Sequence, residues 1–187
     1  MKKILFIISV FIFLSGCVLT RSARFANCDF SYDKLVMLKA NGIDVLGKDE
    51  LSDLSTSESF SLSKAIAQQS LKVDLQMNVE VENPNPKAAV LNTVDWILQI
   101  KNKDVLTGTT NQRIEVLGNG GKATLPLKAS FDIFKILSDY SFSETMSILW
   151  DISSKPSNPN VFTFKIKPAV QIAGQQVKYP AYIKIKY

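Results

Sequence analysis

The chain has 187 residues, 46% hydrophobic and 21% charged, which suits one globular domain with a real core. Its formal charge of +5 falls to +3 without the first sixteen residues, and arginine occurs only at Arg21, Arg24 and Arg113, so nothing marks a nucleic-acid-binding face. Histidine is absent and cysteines number two, which excludes zinc sites built from Cys and His and removes the commonest general base; no calcium-loop spacing occurs, so no metal or cofactor is expected.

The first element is an address. Lys2 and Lys3 precede an apolar run over residues 4–14, broken only by Ser9, and then comes Leu14-Ser15-Gly16-Cys17. The run is too short to span a bilayer, which takes about 20 apolar residues, but it fits a secretory signal of ~7–15. L-S-G-C resembles the bacterial lipobox. That resemblance implies a signal peptide over residues 1–16, a lipid on the Cys17 sulfur, cleavage before it and acylation of the new amino terminus. Two or more acyl chains anchor a protein stably. Residues 17–30 then read as a lipidated tether and 31–187 as one folded domain. Position 18 is valine, not an inner-membrane-retaining aspartate, so the expected location is the outer membrane, facing the periplasm. Cys28 is left as an odd cysteine, either an intermolecular or redox handle or an idle thiol.

Beyond the tether, Asn41-Gly42 between two apolar runs predicts a hairpin. Residues 48–59 are polar and serine-rich and read as loop; residues 61–69 read as a short helix. Val73, Leu75, Met77, Val79 and Val81 alternate with polar residues, the period of a half-buried antiparallel strand. Val94, Trp96, Leu98 and Ile100 repeat it, as do Phe162, Phe164 and Ile166, and finally Ile183, Ile185 and Tyr187. Ile148, Trp150 and Ile152 make another short run, and Leu125 and Leu127 flank Pro126, which argues for an edge strand. Residues 130–138 read as a helix with Ser130 as cap and Asp132 in its first turn, and Ser141-x-x-Glu144 as a capping box. Short strands between regular turns predict an all-β fold, an antiparallel β-sandwich with one or two short helices.

Asn83-Pro84-Asn85-Pro86 ends the clearest strand. Proline cannot donate to a ladder and pushes the residue before it to an extended conformation. The strand must therefore stop pairing at Asn83, with asparagine side chains satisfying the backbone groups that the ladder abandons. A strand written V-x-V-x-N-P-N-P resembles the group-2 late-embryogenesis-abundant domain, also called the water-stress/hypersensitive-response (WHy) domain. The order that follows agrees: a strand with Trp96, a turn at 101–104, G-T-T-N-Q-R-I-E-V, G-N-G-G-K-A-T-L-P-L, a helix near 131–137 and closing strands. The resemblance covers roughly residues 70–187. It implies an immunoglobulin- or fibronectin-III-like sandwich without catalytic residues, linked to stress protection.

Other chemistry is weak. Ser61-x-x-Lys64 matches a penicillin-binding nucleophile motif without its K-T-G companion. Gly118 to Lys122 joins two strands, where a phosphate loop needs a helix after it. Asp132, Asp139, Glu144 and Asp151 read as a helix start and solvated faces rather than a calcium site, and Trp96 and Trp150 as core. After Asp151 there is no acid but six lysines, of which Lys165, Lys167, Lys184 and Lys186 alternate away from the core. They read either as guards against edge pairing or as contacts to anionic lipid headgroups or an acidic glycan. The expected function is that of a non-enzymatic, membrane-anchored envelope lipoprotein that binds or shields envelope components. The alternative is a carrier of a lipid or other hydrophobic ligand in an inter-sheet cavity.

Overall fold

Alternation builds two antiparallel sheets. The structure is a computed structural model and describes residues 25, 27–172 and 175–187. Strands β1 (Asp29–Ala40), β2 (Ile43–Asp44), β3 (Lys72–Asn83) and β6 (Gly121–Asp132) form the first sheet, in the order β2-β1-β3-β6. Strands β4 (Ala89–Ile100), β5 (Lys103–Val116), β7 (Phe162–Ile172) and β8 (Gln175–Lys178) form the second, in the order β5-β4-β7-β8, with β9 (Ile183–Lys184) also paired to β7. The result is an all-β sandwich with few helices. On β3, every second residue from Val73 to Asn83 is buried. On β4 the inward set changes parity at a register shift between Leu91 and Thr93: Ala89 and Leu91 face in before it, Val94, Trp96, Leu98 and Ile100 after it. Leu75, Met77, Leu98, Phe162 and Phe164 fill the interior, each almost wholly buried.

The turns follow their residues. Asn41 and Gly42 both take positive φ, 48° and 83°, as the two-residue hairpin between β1 and β2 requires. Pro126 sits at the centre of β6, which is an edge as expected. The closing strand is short. After β9 the chain leaves the second sheet and crosses to the first: Lys186 N donates to Phe30 O (3.1 Å) and Tyr32 N donates to Lys186 O (2.7 Å). Tyr187 then stacks on Tyr32, ring centroids 4.9 Å apart.

Four expectations need correction. Residues 148–152 are not a strand. They belong to helix α3 (Phe142–Ser154), whose buried face is Thr145, Ile148, Leu149 and Ile152, a helical spacing. Leu149 had already broken the alternation, and Trp150 is only half-buried on this helix. The Ser141–Glu144 capping box does start it. The helix read over 61–69 is α1 (Thr56–Ala67), because Ser55 and Glu58 form a second capping box inside the serine-rich segment read as loop. The helix read over 130–138 shrinks to α2 (Ile133–Ile136), since β6 keeps pairing with β3 through Asp132. Asp132, not Ser130, is its cap, accepting from Phe134 N at 3.1 Å. Finally, Phe25 and Cys28, read as tether, are buried in the core, and Phe25 packs on Phe30. Seven residues, 18–24, lie in sequence between Cys17 and the buried Phe25.

Candidate functional site

Cys17 lies outside the described residues. The other candidates, the Asn83–Pro86 corner and the late lysines, lie within them.

Asn83 ends β3 opposite Gly121 and is completely buried. Its Nδ2 donates to Lys87 O (3.0 Å) and to Val116 O (3.1 Å). Its Oδ1 accepts from Asn85 N (3.1 Å) and Asn85 Nδ2 (2.7 Å). Both donors and the acceptor of the amide are thus used. Val116 ends β5 and Lys87 leads into β4, both of the second sheet, while Asn83 belongs to the first. One side chain therefore ties the two sheets together at this end of the sandwich. The turn from β5 to β6 closes on the same corner: Asn119 N donates to Asn85 O (2.7 Å) and Gly120 N to Asn83 O (2.8 Å). A Cβ on Gly118 would lie 2.6 Å from the Pro86 carbonyl carbon, so glycine is required there. Pro84 and Pro86 face solvent. The motif stops the ladder where expected, and it is also a joint between sheets.

The lysines are brought together, but not as bare charge. β7 and β9 are neighbours, and Lys165 pairs directly with Lys184. Carboxylates from distant segments meet several of the group. Lys165 Nζ lies 2.8 Å from Asp104 and Lys178 Nζ 2.5 Å from Asp95, and Lys186 pairs with Asp29. Lys167 lies over the Tyr182 ring, 5.5 Å from its centroid. Among the described residues, no carboxylate forms an ion pair with Lys167 or Lys184. Sequence reasoning missed these partners because Asp95 and Asp104 lie on β4 and β5, some sixty or more residues away along the chain, and meet their lysines across one intervening strand of the sheet.

These contacts tune the acids. The Lys165 hydrogen bond holds the Asp104 carboxyl below the ordinary carboxylate range. At Asp74 a hydrogen bond from Ser130 does the same. At Asp95 burial pushes the carboxyl up, but hydrogen bonds from Lys178 and Thr109, with the lysine charges, outweigh it and the net shift is downward. Depressed folded-state values mean stability that is present above the ordinary carboxylate pKa of about 4 and is lost as pH falls through the folded values. The melting temperature should therefore be flat from neutral pH to about pH 5 and fall below about pH 4. Asp74→Asn/Asp95→Asn/Asp104→Asn should melt lower at pH 7 yet lose less on acidification. An undiminished acid-induced drop in that variant would contradict the assignment.

Cys28 is buried, and burial, then the neighbouring Asp29 charge, pushes its thiol up to about 11, away from nucleophilic thiolate. Ser61 and Lys64 are both exposed on α1, and residues 118–121 join strand to strand. No group of three or more Cys, Asp or Glu side chains among the described residues is arranged to hold a metal ion. A trough of about 430 Å³ opens on the outer face of the first sheet beside Lys39, Asp74, Lys128 and Ser130. A smaller cavity of about 220 Å³ lies by Phe134, Tyr140 and Phe142.

No family model matches this sequence, and no curated protein matches it either. Two of the solved structures that are similar to it follow. One is the crystal structure of a protein from Archaeoglobus fulgidus, 13% identical over 62% of this chain and 86% of that one, with a TM-score of 0.35. The other is the solution structure of a protein described as late embryogenesis abundant (LEA), 16% identical over 99% of this chain and 88% of that one, with a TM-score of 0.33. Overlaps this slight carry no argument, and the fold rests on the strand pairings themselves.

Proposed function

We propose that this chain is a non-enzymatic lipoprotein of the bacterial envelope, held on a bilayer through acylated Cys17, whose sandwich shields that membrane under water stress. The observation that carries the anchor is the order of Lys2-Lys3, the apolar run and Leu14-Ser15-Gly16-Cys17. The stress role rests on the V-x-V-x-N-P-N-P resemblance. The location is the outer membrane, facing the periplasm. The buried Phe25 supports close apposition: residues 18–24 reach at most ~25 Å, so the body stays near the surface. The interior packed with Phe162, Phe164 and Met77 favours this reading over a carrier with a cavity between its sheets.

Lys165, Lys167, Lys184 and Lys186 are the candidate contacts to anionic headgroups or an acidic glycan. Their ion pairs leave Lys167 and Lys184 as the effective pair, worth ~1 kcal/mol each at an anionic surface. Drying tests both parts of the reading. Vesicles containing anionic lipid and carrying the anchored chain should leak less trapped dye after drying and rehydration than bare vesicles. Lys167→Gln/Lys184→Gln should protect less, and the difference should vanish at high salt. Equal leakage with and without the chain would contradict the shielding role. Protection unchanged in the lysine variant would remove only the headgroup contact.

A further inference from the structure

Phe25 fixes where the chain enters the sandwich. It packs on Phe30, and Phe30 pairs with Val81, two residues short of Asn83 on β3. Asp29 pairs with Glu82, the neighbour of Asn83. Phe25 therefore lies at the same end of the body as the Asn83–Pro86 corner. The opposite end, where β3 begins at Lys72, is roughly 30 Å further along the strand. The helices gather there: α1 leads into Lys72, α2 follows Asp132, the partner of Lys72, and Phe142 at the start of α3 stacks on Phe134.

The corner carries an apolar tip. Leu117 is 69% exposed, and Pro84 and Pro86 of the same corner face solvent. Gly118, next to Leu117, lies against the Pro86 carbonyl, and Asn119 N donates to Asn85 O, so the turn and the proline segment form one body. The turn itself asks for its glycines and for Asn119, whose φ is 58°. A leucine side chain this exposed contributes little to the fold. Single exposed apolar residues are common and need no explanation on their own. What distinguishes Leu117 is its place, at the end where Phe25 enters.

We infer that this end of the sandwich faces the bilayer that anchors the chain, with Leu117 inserted at the boundary between headgroups and acyl chains and Pro84 and Pro86 against the headgroups. The inference rests on the anchor at Cys17 and says which part of the body meets the surface. The seven residues before Phe25 reach at most ~25 Å. The tip meets the surface well within that reach, whereas the helical end would use all of it. An anchored chain makes its second contact at high local concentration, so one leucine serves where a free protein would need a larger patch. Charge does not oppose the contact. Of the acids flanking the corner, Glu80 and Glu82 share Lys122, Glu115 meets Arg113 and Asp29 meets Lys186, while Lys87 on the proline segment is exposed.

Quenching by lipid tests the orientation. The full chain, purified from membranes, carries an environment-sensitive dye on Lys87→Cys at the tip or on Ser143→Cys at the helical end. Both positions are exposed, and the native Cys28 is buried from the dye. Each chain is reconstituted into phosphatidylethanolamine–phosphatidylglycerol vesicles that contain nitroxide-labelled lipid. Quenching at position 87 should exceed that at position 143 several-fold, and Leu117→Asp should remove most of it at unchanged melting temperature. Mass spectrometry of the same samples reads the acyl groups on Cys17. With Cys17 acylated, equal quenching at the two positions, or quenching at position 87 indifferent to Leu117→Asp, would overturn the inference and leave the anchor standing. An unacylated Cys17 would overturn both. A dye at position 87 that is unquenched in pure lipid yet shielded in native membranes would overturn the inference in favour of a protein seated on the tip.

Discussion

Replacing Asn83 by alanine should destabilise the protein by about 3 kcal/mol, a lowering of roughly 6–12 °C in melting temperature. The side chain donates to the carbonyls of Lys87 and Val116 and accepts from Asn85, and Val116 is fully buried. Alanine leaves these groups without that partner, at about 1–3 kcal/mol for each one that stays dry. Asn83→Asp should cost at least as much, because it sets an oxygen against two carbonyl oxygens. The exposed prolines behave differently. Pro84→Ala/Pro86→Ala should cost only about 1–2 kcal/mol, partly through a freer unfolded chain. Urea denaturation separates the cases. A prolyl variant as damaging as Asn83→Ala would mean that rigidity, not the amide joint, holds the corner. Loss of membrane protection at unchanged stability would make the corner a recognition site.

Gly108→Ala should cost about 2–3 kcal/mol, which is large for a partly exposed position on an edge strand. Gly108 is the cross-strand partner of Trp96, and a Cβ there would lie 2.1 Å from the indole. The indole is 5% exposed and packs edge-on to Phe164, ring centroids 5.4 Å apart, so it cannot swing aside without opening the core. In a Trp96→Phe background, where the ring is shorter, the same glycine change should cost less than half as much. A double-mutant cycle reads the coupling directly. Additive costs would mean that Gly108 is needed for its backbone and not for the space above it.

The strands were legible because one face of each is buried and the other wet, so period two survives in β3, in β4 from Val94 onward and in the start of β7. Trp96 was legible as core for the same reason. What it lies against was not, because Gly108 is adjacent only across the sheet. Residues 148–152 misled because two alternate apolar residues around Trp150 fit strand and helix alike, and only Leu149 and the Ser141 cap distinguish them. The Ser55–Glu58 box was hidden among serines that ordinarily favour loops. At the candidate site, the ending of the ladder at Asn83 followed from proline chemistry alone. Its reach to Val116, thirty-three residues on, did not. The lysine group was visible as composition, but the carboxylates that compensate Lys165 and Lys186 come from other segments, and no local pattern announces them.

Everything proposed about shielding a membrane depends on Cys17. Cells grown with an alkyne fatty acid should yield a labelled mature chain whose first residue, by mass spectrometry, is Cys17 carrying acyl groups. Cys17→Ala should carry no label and leave the membrane fraction or remain an uncleaved precursor. Label retained by Cys17→Ala, or a wild-type chain cleaved elsewhere and unlabelled, would contradict the anchor.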